Sequence, residues 1–321
     1  MNALIYRRFG APDVLEWQTG WPDREPAAGE VKVRVVAGAL NPKDILLRKG
    51  KFQGWLTRKR LPRGCGFDLA GEVVNIGSGV TRFKPGDRVF GMTNAFCGGV
   101  HAQYAVLPAD ELAPAPASLS LEEASALPLA GQTALQALRD CGHLVAGQRV
   151  LINGASGGVG HFAVQIAKAL GAEVTALCSE ANHAFVTALG ADHCIDYRQQ
   201  RPVELEQIFD IIFDVFGNYS AKAFARQLGK HGIYISTIPS ATTFLAEARA
   251  RMGLGKRSRL VIVHSNRADL EQLQRWVESG QLRPHLDARY PVRQAAEAHQ
   301  HIESRHTRGK VVLTMTEELS E

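Results

Sequence analysis

The residues of this sequence best placed to do chemistry together form one glycine-rich run, Gly154-Ala155-Ser156-Gly157-Gly158-Val159-Gly160. It follows the apolar run Val150-Leu151-Ile152 and precedes a helical pattern from His161 to Leu170. A strand that turns through glycines into a helix N-terminus presents backbone N–H groups and the positive end of the helix dipole to an anion. Glycines so spaced serve a tight turn, close approach to a pyrophosphate and close helix–strand packing. The run points to a dinucleotide, with Ala155, Ser156, Gly157, Gly158 and Val159 at the phosphates. Such a turn is a weak signal by itself, and its surroundings must carry the case.

The residue that reads the adenosine ribose is expected at the end of the next strand, about 20 residues on. That strand ends Leu177-Cys178-Ser179. An acid there would bond the ribose hydroxyls of NAD and repel a 2′-phosphate; Ser179 is neutral and can donate, as can Asn182 and His183 beyond it. The expected cofactor is NADPH rather than NADH. Glu180 is the rival: a strand one residue longer makes it the ribose acid. Ligands of such sheets bind at the carboxyl ends of the strands. Val215, Gly217, Thr237 and His264 follow the fourth, fifth and sixth strands and are cofactor candidates on that ground.

The elements that must position these residues fall into two regions. Residues 1–118 are rich in turn signals, such as Gly10-Ala11-Pro12-Asp13 and Lys84-Pro85-Gly86-Asp87, and Val31-Lys32-Val33-Arg34-Val35 alternates as a half-buried strand should. This reads as a barrel-like β domain. Ser120-Leu121-Glu122-Glu123 is a capping box, and helical pattern continues from Gln132 to Cys141. Strands are then expected at 149–153, 173–178, 193–196, 209–215, 232–236 and 260–263, with helices at 161–170, 182–189 and 221–228 between them. This alternation is that of a doubly wound parallel sheet. Helices at 268–278 and 295–303 and a strand at 310–313, returning to the first domain, close the chain.

Composition bounds the rest. A chain of 321 residues suggests two domains, and 45% apolar with 21% charged residues is that of a globular protein. The net charge of +5 is mild. The basic runs Arg58-Lys59-Arg60 and Lys256-Arg257-Ser258-Arg259 lack interleaved aromatics and read as solvated loop charge, so no nucleic-acid partner is expected. No apolar run approaches the ~20 residues of a membrane span. The five cysteines are dispersed, without a CxxC pair, as expected of free thiols in the cytoplasm. His299, His301 and His306 read as surface histidines.

Six segments in order resemble one family: Gly10-Ala11-Pro12-Asp13-Val14-Leu15, Asn41-Pro42-Lys43-Asp44, Gly66-Phe67-Asp68-Leu69-Ala70-Gly71, Lys84-Pro85-Gly86-Asp87-Arg88-Val89, Ala155-Ser156-Gly157-Gly158-Val159-Gly160 and Arg308-Gly309-Lys310-Val311-Val312-Leu313. The chain resembles the zinc-independent medium-chain dehydrogenase/reductases of quinone-oxidoreductase type. The resemblance implies an α/β fold: a Rossmann doubly wound parallel sheet, residues 121–264, inserted in a GroES-like β-barrel catalytic domain, residues 1–120 and 265–321. It implies an active site in the cleft between them and a homodimer formed through the edge of the Rossmann sheet. It places Tyr197 over the adenosine phosphate and Thr133 beside the nicotinamide, where Thr133 is otherwise a helix-cap or helix-face hydroxyl. Lys310 is either a pyrophosphate ligand or a salt-bridging surface lysine.

The departures from the zinc-dependent relatives direct the chemistry. They carry Gly-His-Glu where this chain has Gly66-Phe67-Asp68, Asp44 stands where their first zinc ligand is expected, and their four-cysteine lobe is missing. No set of Cys and His has zinc spacing, so no metal is expected. Without a Lewis acid, the expected acceptors are quinones and α,β-unsaturated carbonyl compounds, in which negative charge spreads onto an oxygen that hydrogen bonds can stabilise. Asn41 is the first candidate to donate to that oxygen, or else a turn-stabilising residue. Asp44 orients Asn41 or caps the short helix, and Phe67 walls the pocket. Tyr104 and Cys65 read as structural, and no side chain stands out as proton donor. Two alternatives share the fold: an enoyl reductase acting on acyl chains, and a cofactor-gated binding protein.

Overall fold

The computed structural model describes residues 1–51, 61–239, 241–253 and 256–315; the run Arg58-Lys59-Arg60 lies outside them. The chain forms two compact units. The first holds Met1–Leu129, His264–Gly280 and Pro284–Glu321, and the second Ala130–Val263 with Gln281–Arg283.

In the first unit, β1 (Ala3–Tyr6) pairs antiparallel with β2 (Leu15–Gln18). The long β3 (Glu30–Ala39) ends at α1 (Pro42–Arg48), where Pro42 at the first helical position needs no N–H partner. After β4 (Arg63–Gly64) come β5 (Asp68–Ile76), β6 (Arg88–Met92), β7 (Tyr104–Pro108) and β8 (Leu112–Pro114). Val31, Val33 and Val35 of β3 enter one apolar core with Leu69, Val73, Val89, Leu107 and Leu112. Each such burial contributes roughly 1.5–3 kcal/mol. Arg34 faces outward, while Lys32 buries its stem and ion-pairs with Asp23 and Glu25. The capping box forms as expected, Glu123 N–H bonding Ser120 Oγ at 3.1 Å and Ser120 N–H bonding Glu123 Oε2 at 2.9 Å. Its helix, α2 (Leu121–Ser125), packs on β3, β5 and β6, which is why the first unit runs on to Leu129 rather than stopping at 120.

α3 (Pro128–Leu135) carries the chain into the second unit and widens into a π-helical stretch, Gln136–Cys141. There β9 (Arg149–Asn153), α4 (Gly160–Ala169), β10 (Glu173–Cys178), α5 (His183–Ala188), β11 (His193–Asp196), β12 (Phe209–Asp214), β13 (Leu228–Ser236), α6 (Ala241–Arg251) and β14 (Arg257–Leu260) follow. The six strands are all parallel, in the order β11-β10-β9-β12-β13-β14. Strands buried on both faces read as continuous apolar runs, as Phe209–Asp214 does. Three expectations are corrected. Residues 221–227 form consecutive turns, not a helix, held by Ala221 and Phe224 in the core beside Leu228. The sixth strand is Arg257–Leu260, not 260–263. The run Lys256–Arg259 is therefore largely strand, with Ser258 buried and Lys256 Nζ bonded to Leu228 O at 2.8 Å.

The chain returns to the first unit with α7 (Arg267–Glu278), β15 (Leu286–Pro291), α8 (Ala295–Glu303) and β16 (Lys310–Thr314). The barrel sheet runs β15-β16-β3-β5-β6-β8, with β7 also on β3. His299 is buried rather than on the surface, and burial depresses its pKa to about 3. His301 pairs with Asp287 at 2.8 Å, and His306 is exposed.

Candidate active site

In the second unit, the glycine run turns from β9 into α4. Gly154 has φ +81°, and the N–H groups of Gly154 and Ala155 bond Leu177 O at 3.1 and 3.2 Å, which ties the turn to the end of β10. A Cβ on Gly160 would lie 2.0 Å from Gly154 O, so only glycine permits this approach of helix to turn. At Gly157 the nearest atom to an added Cβ is 3.4 Å away, and Ser156, Gly157, Gly158 and Val159 are all partly exposed at the start of α4. This cradle fits a pyrophosphate.

β10 ends at Cys178, so Ser179 is the first residue past it. Asn182 Nδ2 donates to both Ser156 Oγ and Ser179 Oγ at 3.2 Å, bringing three expected cofactor residues together. Each hydroxyl accepts from Asn182 and so keeps its own hydrogen for an outside acceptor. Glu180, the rival ribose acid, accepts from Gln199 Nε2 at 3.3 Å. Tyr197 N–H bonds Cys178 O at 3.4 Å, which sets the half-exposed Tyr197 ring beside the strand end, with the Arg198 guanidinium 5.8 Å from it.

Val215, Gly217 and Thr237 also gather. Thr237 Oγ1 donates to Val215 O at 2.9 Å, and Val215 N–H to Asn153 O at 3.2 Å. The anchor is Asp214, which sequence reading passed over. Fully buried, it accepts from Asn153 Nδ2 and Gly217 N–H at 2.7 Å, Tyr234 Oη at 2.7 Å and Tyr219 N–H at 3.1 Å. Thr133 is buried on α3. His264 follows β14, which ends at Leu260, and is an exposed residue of the first unit.

In the first unit, Asn41 follows β3, Asp68 begins β5 and Lys310 begins β16. β3 lies between β16 and β5 and antiparallel to both, so these three residues meet at one end of the sheet. Asn41 Nδ2 donates to Asp68 Oδ2 at 2.8 Å and to Ala39 O at 3.3 Å, while Lys310 Nζ donates to Asn41 Oδ1 at 2.7 Å and Leu40 O at 3.1 Å. Lys310 and Asp68 form an ion pair at 3.6 Å, and Leu129 N–H supplies Asp68 Oδ1 at 2.7 Å. All three side chains are buried. Burial pushes Asp68 up and Lys310 down in pKa, and their mutual attraction only partly opposes it. Lys310 is thus neither a surface lysine nor open to a pyrophosphate, and Asn41 has its amide hydrogens turned inward.

Asp44 is the N3 partner of the helix cap: its Oδ2 accepts from Asn41 N–H at 2.8 Å. Its Oδ1 is buried without a hydrogen-bond partner, and burial raises its pKa to about 7. Phe67 is fully buried, and one face of its ring carries the Lys43 ammonium 3.9 Å from the centroid. It therefore does not offer that face to a substrate. A phenyl ring and an ammonium give a divalent cation nothing to bind. Among the described residues, no three of His, Cys, Asp or Glu gather where they could hold a metal ion.

Two family models match the chain: an alcohol dehydrogenase GroES-like domain over residues 27–117, within the first unit, and a zinc-binding dehydrogenase over 189–313, which takes in residues of both units. The chain is 32% identical to the chloroplast envelope quinone oxidoreductase homolog of Arabidopsis thaliana, over 98% of each. The chain belongs to the quinone-oxidoreductase family of medium-chain dehydrogenase/reductases. An NADPH-dependent alkenal/one oxidoreductase of the same plant, chloroplastic, is 32% identical over 98% of this chain and 79% of its own length. The solved quinone oxidoreductase from Coxiella burnetii superposes with a TM-score of 0.89 at 32% identity, over 98% of this chain and 99% of that one. As a family member, the chain has the expected α/β architecture, a parallel dinucleotide-type sheet joined to a GroES-like barrel.

Proposed function

We propose that this protein reduces quinones and α,β-unsaturated carbonyl compounds with NADPH, without a metal. The observation that carries the cofactor choice is the set Ser156, Ser179 and Asn182, a neutral donor group at the place where an acid would repel a 2′-phosphate. Arg198, over Tyr197, adds positive charge there. The names of the relatives support the acceptor class.

The reduced nicotinamide supplies the hydride when bound. The glycine turn, Ser156 and Ser179 hold the phosphates, and the Asp214-anchored loop with Val215, Gly217 and Thr237 lines the adenosine side. Asn41, Asp68 and Lys310 lock one another and fix the barrel end from which α1 departs; Asn41 positions that turn rather than donating to the substrate oxygen. No helix among the described residues is long and apolar enough to cross a membrane, and the protein is proposed to work in the cytoplasm. The outer strand β14, with Ile262 beyond it 75% exposed, is the proposed dimer edge.

Steady-state oxidation of NADPH and NADH across a panel of quinones, enones and alkenals tests this reading. A higher kcat/KM with NADPH and turnover of at least one conjugated acceptor are expected. Tight NADPH binding without turnover of any acceptor would replace the reductase with a cofactor-gated binder.

A further inference from the structure

Lys43 is the second residue of α1, where the helix dipole disfavours a cation. Its ammonium stands 3.9 Å from the Phe67 centroid and 5.6 Å from that of Phe96. Phe67 is fully buried and Phe96 is 50% exposed, so the ammonium sits at the border of core and surface. Among the described residues it has no hydrogen-bond or ion-pair partner. The titratable groups facing it are Asp44 on its own helix and Cys97 on the loop after β6. Asp44 turns Oδ2 to the Asn41 N–H and lies nearer the Asp68–Lys310 pair. The two rings offset only part of the ammonium's lost hydration, short of what a counter-anion gives. This arrangement suits an anion that arrives with the reaction.

Resting on the reductase reading, we propose that Lys43 is the catalytic proton donor, and that its ammonium meets the oxygen of a planar conjugated acceptor. Hydride adds at the β-carbon, the C=C electron pair moves through the carbonyl onto oxygen, and Lys43 passes one proton to that oxygen. The enol returns to the ketone in water, and the neutral amine takes a proton from water. With a quinone, the same transfer gives the hydroquinone. Burial lowers the Lys43 pKa, which favours release of the proton.

Lys43→Met and Lys43→Gln are the decisive variants. Both are expected to lose 100-fold or more in kcat with NADPH Kd unchanged and to lose the alkaline limb of the wild-type pH–kcat profile. Lys43→Arg, which stabilises charge but does not release a proton, is expected to recover only part of the rate and not the limb. A readout without turnover is binding of 4-nitrophenolate, a mimic of the anionic oxygen, to the cofactor-free protein; Lys43→Met should weaken it 10-fold or more. Wild-type turnover with kcat, pH limb and phenolate affinity all kept in Lys43→Met overturns the assignment while the reductase stands. A rise in NADPH Kd that accounts for the lost kcat/KM overturns it too, by placing Lys43 on the cofactor. Absence of turnover in the wild type removes the reductase reading and this one with it.

Discussion

Lys310 neutralises a carboxylate that has no exposure to water. Its replacement by Met would leave Asp68 buried with an uncompensated charge and free the Asn41 amide at the same end of the sheet. Removing one partner of a buried pair costs about 3–5 kcal/mol, whereas replacing both is often neutral. Lys310→Met is therefore expected to lower Tm sharply, and adding Asp68→Asn to restore much of the loss; thermal denaturation of the two variants checks it. Asp44 gives a second, pH-dependent expectation. Its folded pKa of about 7 exceeds its ordinary 3.8, so folding favours the protonated form. That contribution is whole below pH 3.8 and is lost as pH rises through 7, at up to about 1.4 kcal/mol per unit. Asp44→Asn keeps an oxygen for the Asn41 N–H and does not titrate. Its urea-unfolding free energy relative to wild type should grow from pH 5 to pH 7 and then level off; a difference that shrinks over that interval contradicts the shift. At this scale the sequence was only partly legible. Asn41 and Asp44 lie in one short motif, but Asp68 and Lys310 join them through strand neighbours 27 and 269 residues away, which local spacing does not encode.

Among the elements, the turn between β9 and α4 separates structural need from binding need in two of its glycines. A methyl on Gly160 meets Gly154 O at 2.0 Å, while one on Gly157 meets nothing nearer than 3.4 Å. Gly160→Ala is expected to lower both Tm and NADPH affinity. Gly157→Ala should keep Tm within a few degrees yet weaken NADPH binding 10-fold or more, because its methyl would stand at the proposed approach of the pyrophosphate to the backbone. Calorimetric titration beside thermal denaturation distinguishes the two; equal losses of Tm would contradict the assignment of roles. β9 and β10 lie where their apolar runs placed them, because buried parallel strands announce themselves by composition. The Ala221–Leu228 segment did not: its apolar residues at helical spacing are satisfied by turns that seat Ala221 and Phe224 beside Leu228. The sixth strand was read three residues late because Arg257-Ser258-Arg259 is polar, and only the pairing of Tyr234 with Ser258 shows why a buried serine belongs there. Phe67 was legible as a departure from a metal site, but the cation on its ring was not, since Lys43 and Phe67 share no sequence period.

For the whole molecule, the outstanding expectation is assembly. β14 is the last strand of its sheet, and an edge strand left open invites pairing with another chain. Part of this edge is already closed within the chain, because Leu260 N–H reaches Glu247 Oε2 at 3.3 Å. Beyond it, Ile262 is 75% exposed, and α6 adds exposed Phe244 and Leu245, with Met252 just after it. Exposed apolar side chains in this number around one sheet edge mark an interface more often than they mark free surface. A second copy related by a two-fold axis would present the same edge to itself. The test is Ile262→Glu, which places a carboxylate at the centre of that contact and touches none of the cofactor or catalytic residues. Light scattering coupled to size exclusion should give twice the 34.9 kDa chain mass for the wild type and the single mass for the variant, with NADPH affinity retained. A wild type of single mass removes the dimer. A dimeric Ile262→Glu moves the contact away from this edge, to another surface of the chain.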